Sequence, residues 1–231
     1  MQNVERHWFV VVAGFLFVVA AAGAVWFLFP RNAVAPLPSA SEALPVENAV
    51  VASSTPKSVV VNRPVSHPLP LAKGDSIASW DFKGAYTGNP ELVAKAQAEI
   101  KRFSDLLATA TSSSMILSVA IANEYELLGK GKEQYDYLGR AVRSDAKNGL
   151  PWHNLGVLME RLHAYETARI AYERSATFQP QSSLYHYAYL EFLLQNMKSD
   201  TADIEKAFTA AETNLGKTPY LLELRAKWEK S

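Results

Sequence analysis

The chain has 231 residues, with 23 basic and 23 acidic side chains and a formal net charge of zero. The charges alternate through the second half, which excludes the basic stripe that a nucleic-acid surface needs to displace counterions from phosphates. Absence of cysteine excludes disulfides and thiolate metal sites and fits either side of a membrane.

The first element is residues 8–29, WFVVVAGFLFVVAAAGAVWFLF, with no charge and no proline. About 20 apolar residues span a bilayer as a helix. Trp8 and Trp26, with Phe27 and Phe29, lie near its ends, where aromatic rings favour the headgroup zone. Pro30 and Arg31 stop it. A secretory signal has an apolar core of about 7–15 residues; this run is longer, and Pro36 after Ala33-Val34-Ala35 hinders cleavage there. The reading is a retained single-pass anchor that meets the lipid bilayer through residues 8–29. Arg6, His7 and the α-amino group, set against Glu5, outweigh Arg31 on the far side. The positive-inside rule therefore places the bulk of the chain outside the cytoplasm, with a cytoplasmic location as the alternative.

Residues 31–75 are rich in Pro, Ser, Ala and Val and contain no Trp, Tyr or Phe. Such a segment cannot bury enough apolar surface to offset its ordering entropy. It is expected to be a flexible, disordered linker, about 40 Å end to end. Its Ser58-Val59-Val60-Val61 run has strand character, but the composition favours a solvated tether.

Residues 76–231 read as one all-helical domain. Trp80 to Tyr86 form an aromatic lead-in. Asn89 is a helix cap, Pro90 suits a first helical position and Glu91 complements the positive helix end. The spacing of Leu92, Ala96, Ile100, Phe103 and Leu107 predicts a helix over 90–108. Further helices are predicted near 115–128, 132–146, 149–162, 165–178, 183–197, 201–215 and 218–230. Breaks fall at Gly129 and Gly131, at Asn148-Gly149, at Pro180 and at Gly216 to Pro219, and no alternating strand pattern occurs.

The middle pair carries a packing motif. Trp152 is followed by Leu155, Gly156 and Met159, then by Ala168, Tyr172 and Pro180. This resembles the tetratricopeptide repeat, W-x2-L-G-x2-Y, A-x3-F and P in about 34 residues. Met159 stands at the usual Tyr, and Ser175 where a small Ala is common. One repeat earlier come Ile121, Ala122, Tyr125, Gly129 and Ala141, without the Trp and the Pro. One repeat later, Ala207 and Pro219 reproduce the interval from Ala168 to Pro180, while the first helix is left uncertain by one or two residues in register.

The resemblance covers residues 115–231 and implies a right-handed α-solenoid of about three helix hairpins with terminal capping helices. The repeats lie near 115–148, 149–182 and 183–219, with a capping helix over 220–230. Trp152, Leu155, Gly156, Ala168, Tyr172, Pro180, Ala207 and Pro219 are its expected packing residues. In that family the first helices line a groove that holds a peptide or helix. By resemblance the groove draws on Val119, Asn123, Glu126, His153, Asn154, Val157, Glu160 and Arg161, with Tyr187 and Glu191 from the third repeat. The carboxylate-holding set of some members is matched only in part, by Asn123 and Asn154, so recognition of a free C-terminus is not expected. Tyr185, Tyr187 and Tyr189 suit either interface anchors or core packing.

Motifs for catalysis are missing. His153, His163 and His186 form no His-Glu-x-x-His, and no metal or cofactor is expected. His153 is either a groove residue or a solvated helix residue. Gly129-Lys130-Gly131-Lys132 lacks the phosphate-loop pattern and reads as a turn. The expected function is therefore not enzymatic. It is a membrane-anchored protein–protein interaction module, a scaffold, adaptor or assembly factor, binding a protein or peptide partner and no nucleic acid. The alternatives are a non-catalytic regulatory subunit of a membrane enzyme complex and a structural spacer that self-associates through Tyr220 to Trp228.

Overall fold

The computed structural model describes residues 66–110, 112 and 114–230. The expected membrane helix and the linker up to residue 65 lie outside the described residues. Eight helices follow one another: α1 (Pro90–Thr109), α2 (Ser114–Leu128), α3 (Gly131–Ser144), α4 (Gly149–Arg161), α5 (Tyr165–Phe178), α6 (Ser183–Asn196), α7 (Thr201–Leu215) and α8 (Pro219–Trp228). Among the described residues no strand forms, and the bridge between Asp81 and Lys130 stands isolated. The all-α class is as expected, and the helix ends fall within two residues of the predicted ones.

Local chemistry sets the ends. Asn89 Oδ1 accepts from the Leu92 amide at 3.2 Å ahead of α1, and Asn148 Oδ1 from the Leu150 amide at 3.1 Å ahead of α4. Thr218 caps α8 through the Leu221 amide at 3.3 Å. Pro219 is thus the exposed first residue of α8 rather than a packing residue that closes a repeat. Its fixed φ and missing N–H suit that position.

Helices α1 to α7 pack chiefly on their neighbours in sequence, α8 packs on both α6 and α7, and α4 also touches α6. Burial recurs with a fixed period. Ser118, Ile121 and Ala122 of α2, Trp152, Leu155 and Gly156 of α4, and His186, Tyr189 and Leu190 of α6 are all buried, in triplets 34 residues apart. This settles the register of α6, which its apolar sequence left open. In α3, α5 and α7 the fourth, eighth and eleventh positions are buried: Gln134, Leu138 and Ala141, then Ala168, Tyr172 and Ser175, then Ile204, Phe208 and Ala211. The start of α7 follows that of α5 by 36 residues, because α6 and its turn are longer than α4 and its turn. Ala207 therefore takes the place of Ala171, and Ile204 that of Ala168; the matched Ala-to-Pro interval does not reflect equivalent packing.

Residues 66–75 depart from the expected linker. They lie across α3 and α5 as an irregular strap that turns at its end, where the Asp75 amide donates to Ala72 O at 3.1 Å. The His67 ring stacks on Tyr135 with centroids 3.5 Å apart, and its Nε2 donates to the Tyr135 carbonyl at 2.9 Å. Leu69 is 2% exposed and joins the core, while the Tyr135 hydroxyl donates to its carbonyl. The Ala72 amide donates to Thr167 Oγ1 at 2.9 Å. Asp75 accepts from the Thr167 amide at 2.7 Å and its hydroxyl at 2.6 Å. Ala164 precedes α5 and offers no side-chain cap, so Asp75 supplies one from the strap. The lead-in then closes on the α2–α3 turn: the Phe82 amide donates to Gly129 O at 3.0 Å, and the Gly131 amide to Trp80 O at 3.1 Å.

Candidate functional site

The residues expected to form a groove lie on α2, α4 and α6, and the polar ones other than His153 pair with one another or with neighbouring elements. Asn154 Nδ2 donates to Asn123 Oδ1 at 3.3 Å, joining α4 to α2. The Arg161 guanidinium meets Glu126 at 2.9 Å and lies 4.7 Å over the Phe82 ring. Glu160 accepts from the Tyr172 hydroxyl at 2.7 Å and from Asn196 Nδ2 at 2.8 Å, tying α4 to α5 and α6. Burial, then the nearby Glu160 carboxylate, pushes the Tyr172 pKa well above its ordinary value, so the hydroxyl stays a donor. Tyr187 shares a hydrogen bond of 2.9 Å with Thr218, and the Tyr220 hydroxyl donates to Glu191. The face is a ladder of contacts between helices, with its charges engaged inside the chain.

Three expected residues pack inward, wholly or in part. Val119 is 5% exposed and belongs to the core. Val157 is half-buried against that core. His153 is half-buried, and its ring lies between Tyr172 and Tyr185, with centroids 5.8 and 5.3 Å away. Its Nδ1 is buried without a hydrogen-bond partner, and burial pushes its pKa down to about 4. A neutral imidazole that fills space is not poised for proton transfer. Of the three tyrosines on α6, Tyr185 and Tyr189 are buried and Tyr187 alone is half-buried at the surface.

The packing residues act as close-approach pairs. A Cβ at Gly156 would lie 2.8 Å from the Tyr172 ring, so only glycine lets α4 and α5 meet there. Leu155 and Ala168 are fully buried. Trp152 is 3% exposed, donates from Nε1 to Ala146 O at 2.9 Å and carries the Arg174 guanidinium 4.5 Å over its ring. The Pro180 carbonyl accepts from His186 Nε2 at 2.9 Å.

Sequence reasoning missed Phe82, Asn196, Thr218 and Tyr220, which complete the ladder. Only Asn196 lies on a first helix, α6; Phe82 belongs to the lead-in, and Thr218 and Tyr220 to the start of α8. Sequence reasoning also missed a cleft of about 230 Å³ between α5 and α7, with Ala176, Pro180, Tyr189, Ala207 and Ala210 in its lining. No protein-family model matches the chain, and no curated protein matches it.

Proposed function

We propose that the chain is a membrane-anchored protein-interaction module of the tetratricopeptide type, acting as a scaffold, adaptor or assembly factor. About three helix hairpins stack into a right-handed α-solenoid, with α1 and α8 covering its ends. The observation that carries this reading is the recurrence of buried triplets at 34 residues in α2, α4 and α6. The same step separates Gly129 and His163, both with positive φ, in the turns that close two hairpins. A period of about 34 with small residues at the helix crossing is the signature of that repeat. The anchor rests on the uncharged run of residues 8–29. Tethering raises the effective concentration of a weak binder at the membrane, which suits assembly roles.

The test starts from the cysteine-free background. Ser53→Cys is placed in the full chain, and intact cells are treated with a membrane-impermeant maleimide. The protein is expected in membranes that resist alkaline extraction, with labelling before lysis. Labelling only after lysis moves the helical domain to the cytoplasmic side. Release of the chain into the soluble fraction overturns the anchor. Self-association is the second reading, favoured by Leu184 and Leu222, which are 54% and 50% exposed on α6 and α8. Sedimentation of the full chain in detergent separates the two, because a monomer at high concentration leaves only the first.

A further inference from the structure

We propose that the C-terminal end of α3 and the adjoining part of α5 form a lipid-binding surface for the anionic phospholipid headgroups of the bilayer that carries the anchor. This rests on the membrane-anchored reading and names the face that the domain turns to the bilayer. Arg102, Arg161, Arg169 and Arg225 each hold a carboxylate within the chain. Arg140, Arg143 and Arg174, the other arginines of the described residues, hold none, and they lie together. Arg140, Arg143 and Lys147 are exposed and follow one another at helical spacing along the last turns of α3 and just beyond it. Trp152 donates to Ala146 O, next to Lys147, at 2.9 Å, and the Arg174 guanidinium lies 4.5 Å over the same indole. Four cations thus share one surface. The carboxylates beside them are engaged: Asp136 holds Lys132 at 2.5 Å, Glu173 holds Lys206 at 2.6 Å, and Asp145 accepts from the Lys147 amide at 3.2 Å.

Two observations favour lipid over an acidic protein segment. Phe178, one turn after Arg174, is exposed, and its ring sits 6.2 Å from that of Trp152. Cations next to an exposed aromatic ring suit the headgroup zone, where the ring takes the apolar boundary and the charges meet phosphate. Arg174 is held on the indole, so its fork is oriented before a phosphate arrives. The second observation is where the chain enters. The strap begins at exposed Ser66, and His67 lies against residue 139, one turn before Arg143. The chain that leads to the apolar run of residues 8–29 therefore leaves the domain at this surface. Residues 30–65 reach at most about 130 Å, so an anchor presents the bilayer to the surface at the effective concentration that a tether gives. The domain is also electrically polar. Asp75, Glu166 and Asp200 line one pocket with Ser199 at the N-terminal ends of α5 and α7. Anionic lipid attracts the basic end and repels the acidic one.

The test uses the full cysteine-free chain with a fluorophore on Ser144→Cys, beside Arg143, or separately on Ser199→Cys in the acidic pocket. It is reconstituted in vesicles of phosphatidylcholine alone or with roughly one-third phosphatidylglycerol, and phosphatidylcholine spin-labelled on its headgroup is the quencher. The expected result is quenching at Ser144 at least threefold stronger in the anionic vesicles than in the neutral ones and lost in high salt, with Ser199 unquenched in both. Arg140→Gln with Arg143→Gln is expected to bring Ser144 down to its neutral-vesicle level. The thermal unfolding midpoint should not move, because neither arginine holds a carboxylate. Lys101→Gln with Lys227→Gln removes the same charge elsewhere and should leave the quenching intact. Equal quenching in neutral and anionic vesicles overturns headgroup recognition. No quenching at Ser144 in a chain that floats with the vesicles and resists alkaline extraction overturns the surface and leaves the anchor standing. A response of Ser144 to polyglutamate without headgroup quenching assigns the patch to an acidic protein segment and overturns the lipid. A chain that alkaline washing strips from the vesicles overturns the anchor and this proposal with it.

Discussion

Two residues 34 positions apart carry the same backbone demand with different side chains. Gly129 has φ 74° and His163 has φ 59°, and each turns one helix back onto the next. Left-handed backbone costs a residue with a Cβ on the order of 1 kcal/mol. At residue 129 the demand is steric as well, since a Cβ would lie 2.0 Å from Phe82 O. Gly129→Ala is therefore expected to cost roughly 2 kcal/mol or more and to loosen the lead-in. His163→Gly is expected to stabilise by about 0.5–1 kcal/mol, because the exposed His163 to Tyr165 hydrogen bond at 2.8 Å is a weak contact to lose. Thermal unfolding of the full chain in detergent micelles, followed by circular dichroism, reads both. A His163→Gly chain less stable than the parent would show that the histidine side chain outweighs the backbone strain.

At the scale of elements, the strap shows a helix capped by a residue far away in sequence. Asp75 accepts from the first turn of α5 in place of Ala164, which has no side chain to do so. Asp75→Ala is expected to cost about 1–2 kcal/mol, the loss of an N-cap. It also frees the strap, so trypsin is expected to cut after exposed Lys73 several-fold faster. Unchanged cleavage would mean that His67 and Leu69 hold the strap without the cap. The helices were legible because their signals are local: Asn89 with Pro90, Asn148 with Gly149, and apolar spacing within each run. The strap was not legible, since Ala72 and Asp75 find their partners more than 90 residues later and Pro68 and Pro70 break any period. The groove residues were half legible. Their place on α2, α4 and α6 followed from the apolar spacing, but the pairing of Glu160 with Asn196 needs the register of α6. That register is fixed by burial at Tyr189 and Leu190 and is not visible in a helix apolar on nearly every side.

For the whole molecule, the packing of α4 against α5 and α6 makes stability depend on acidity. His153 lies at that junction, and burial holds its pKa at about 4. The unfolded chain binds this proton near pH 6.5, so between about 6.5 and 4 the unfolded state holds more protons than the folded one. Stability is therefore full above pH 6.5 and declines as the pH falls to 4, by on the order of 3 kcal/mol from this residue. His67 and His186 are also lowered by burial and act in the same direction, softening the strap and the Pro180 turn. Glu124 opposes them: burial raises its carboxyl, so the folded state takes up that proton first and gains stability as the pH falls. The decisive variant is His153→Phe, which keeps a ring between Tyr172 and Tyr185, titrates nothing and removes the buried Nδ1 that has no partner. Urea midpoints of the full chain in micelles at pH 7.5, 5.5 and 4.5 should fall steeply for the parent and much less for the variant. At pH 7.5 the variant should match or exceed the parent, because an unsatisfied buried nitrogen has been exchanged for carbon. Parallel slopes for the two chains would remove His153 as the source and leave the acid dependence to His67 and His186.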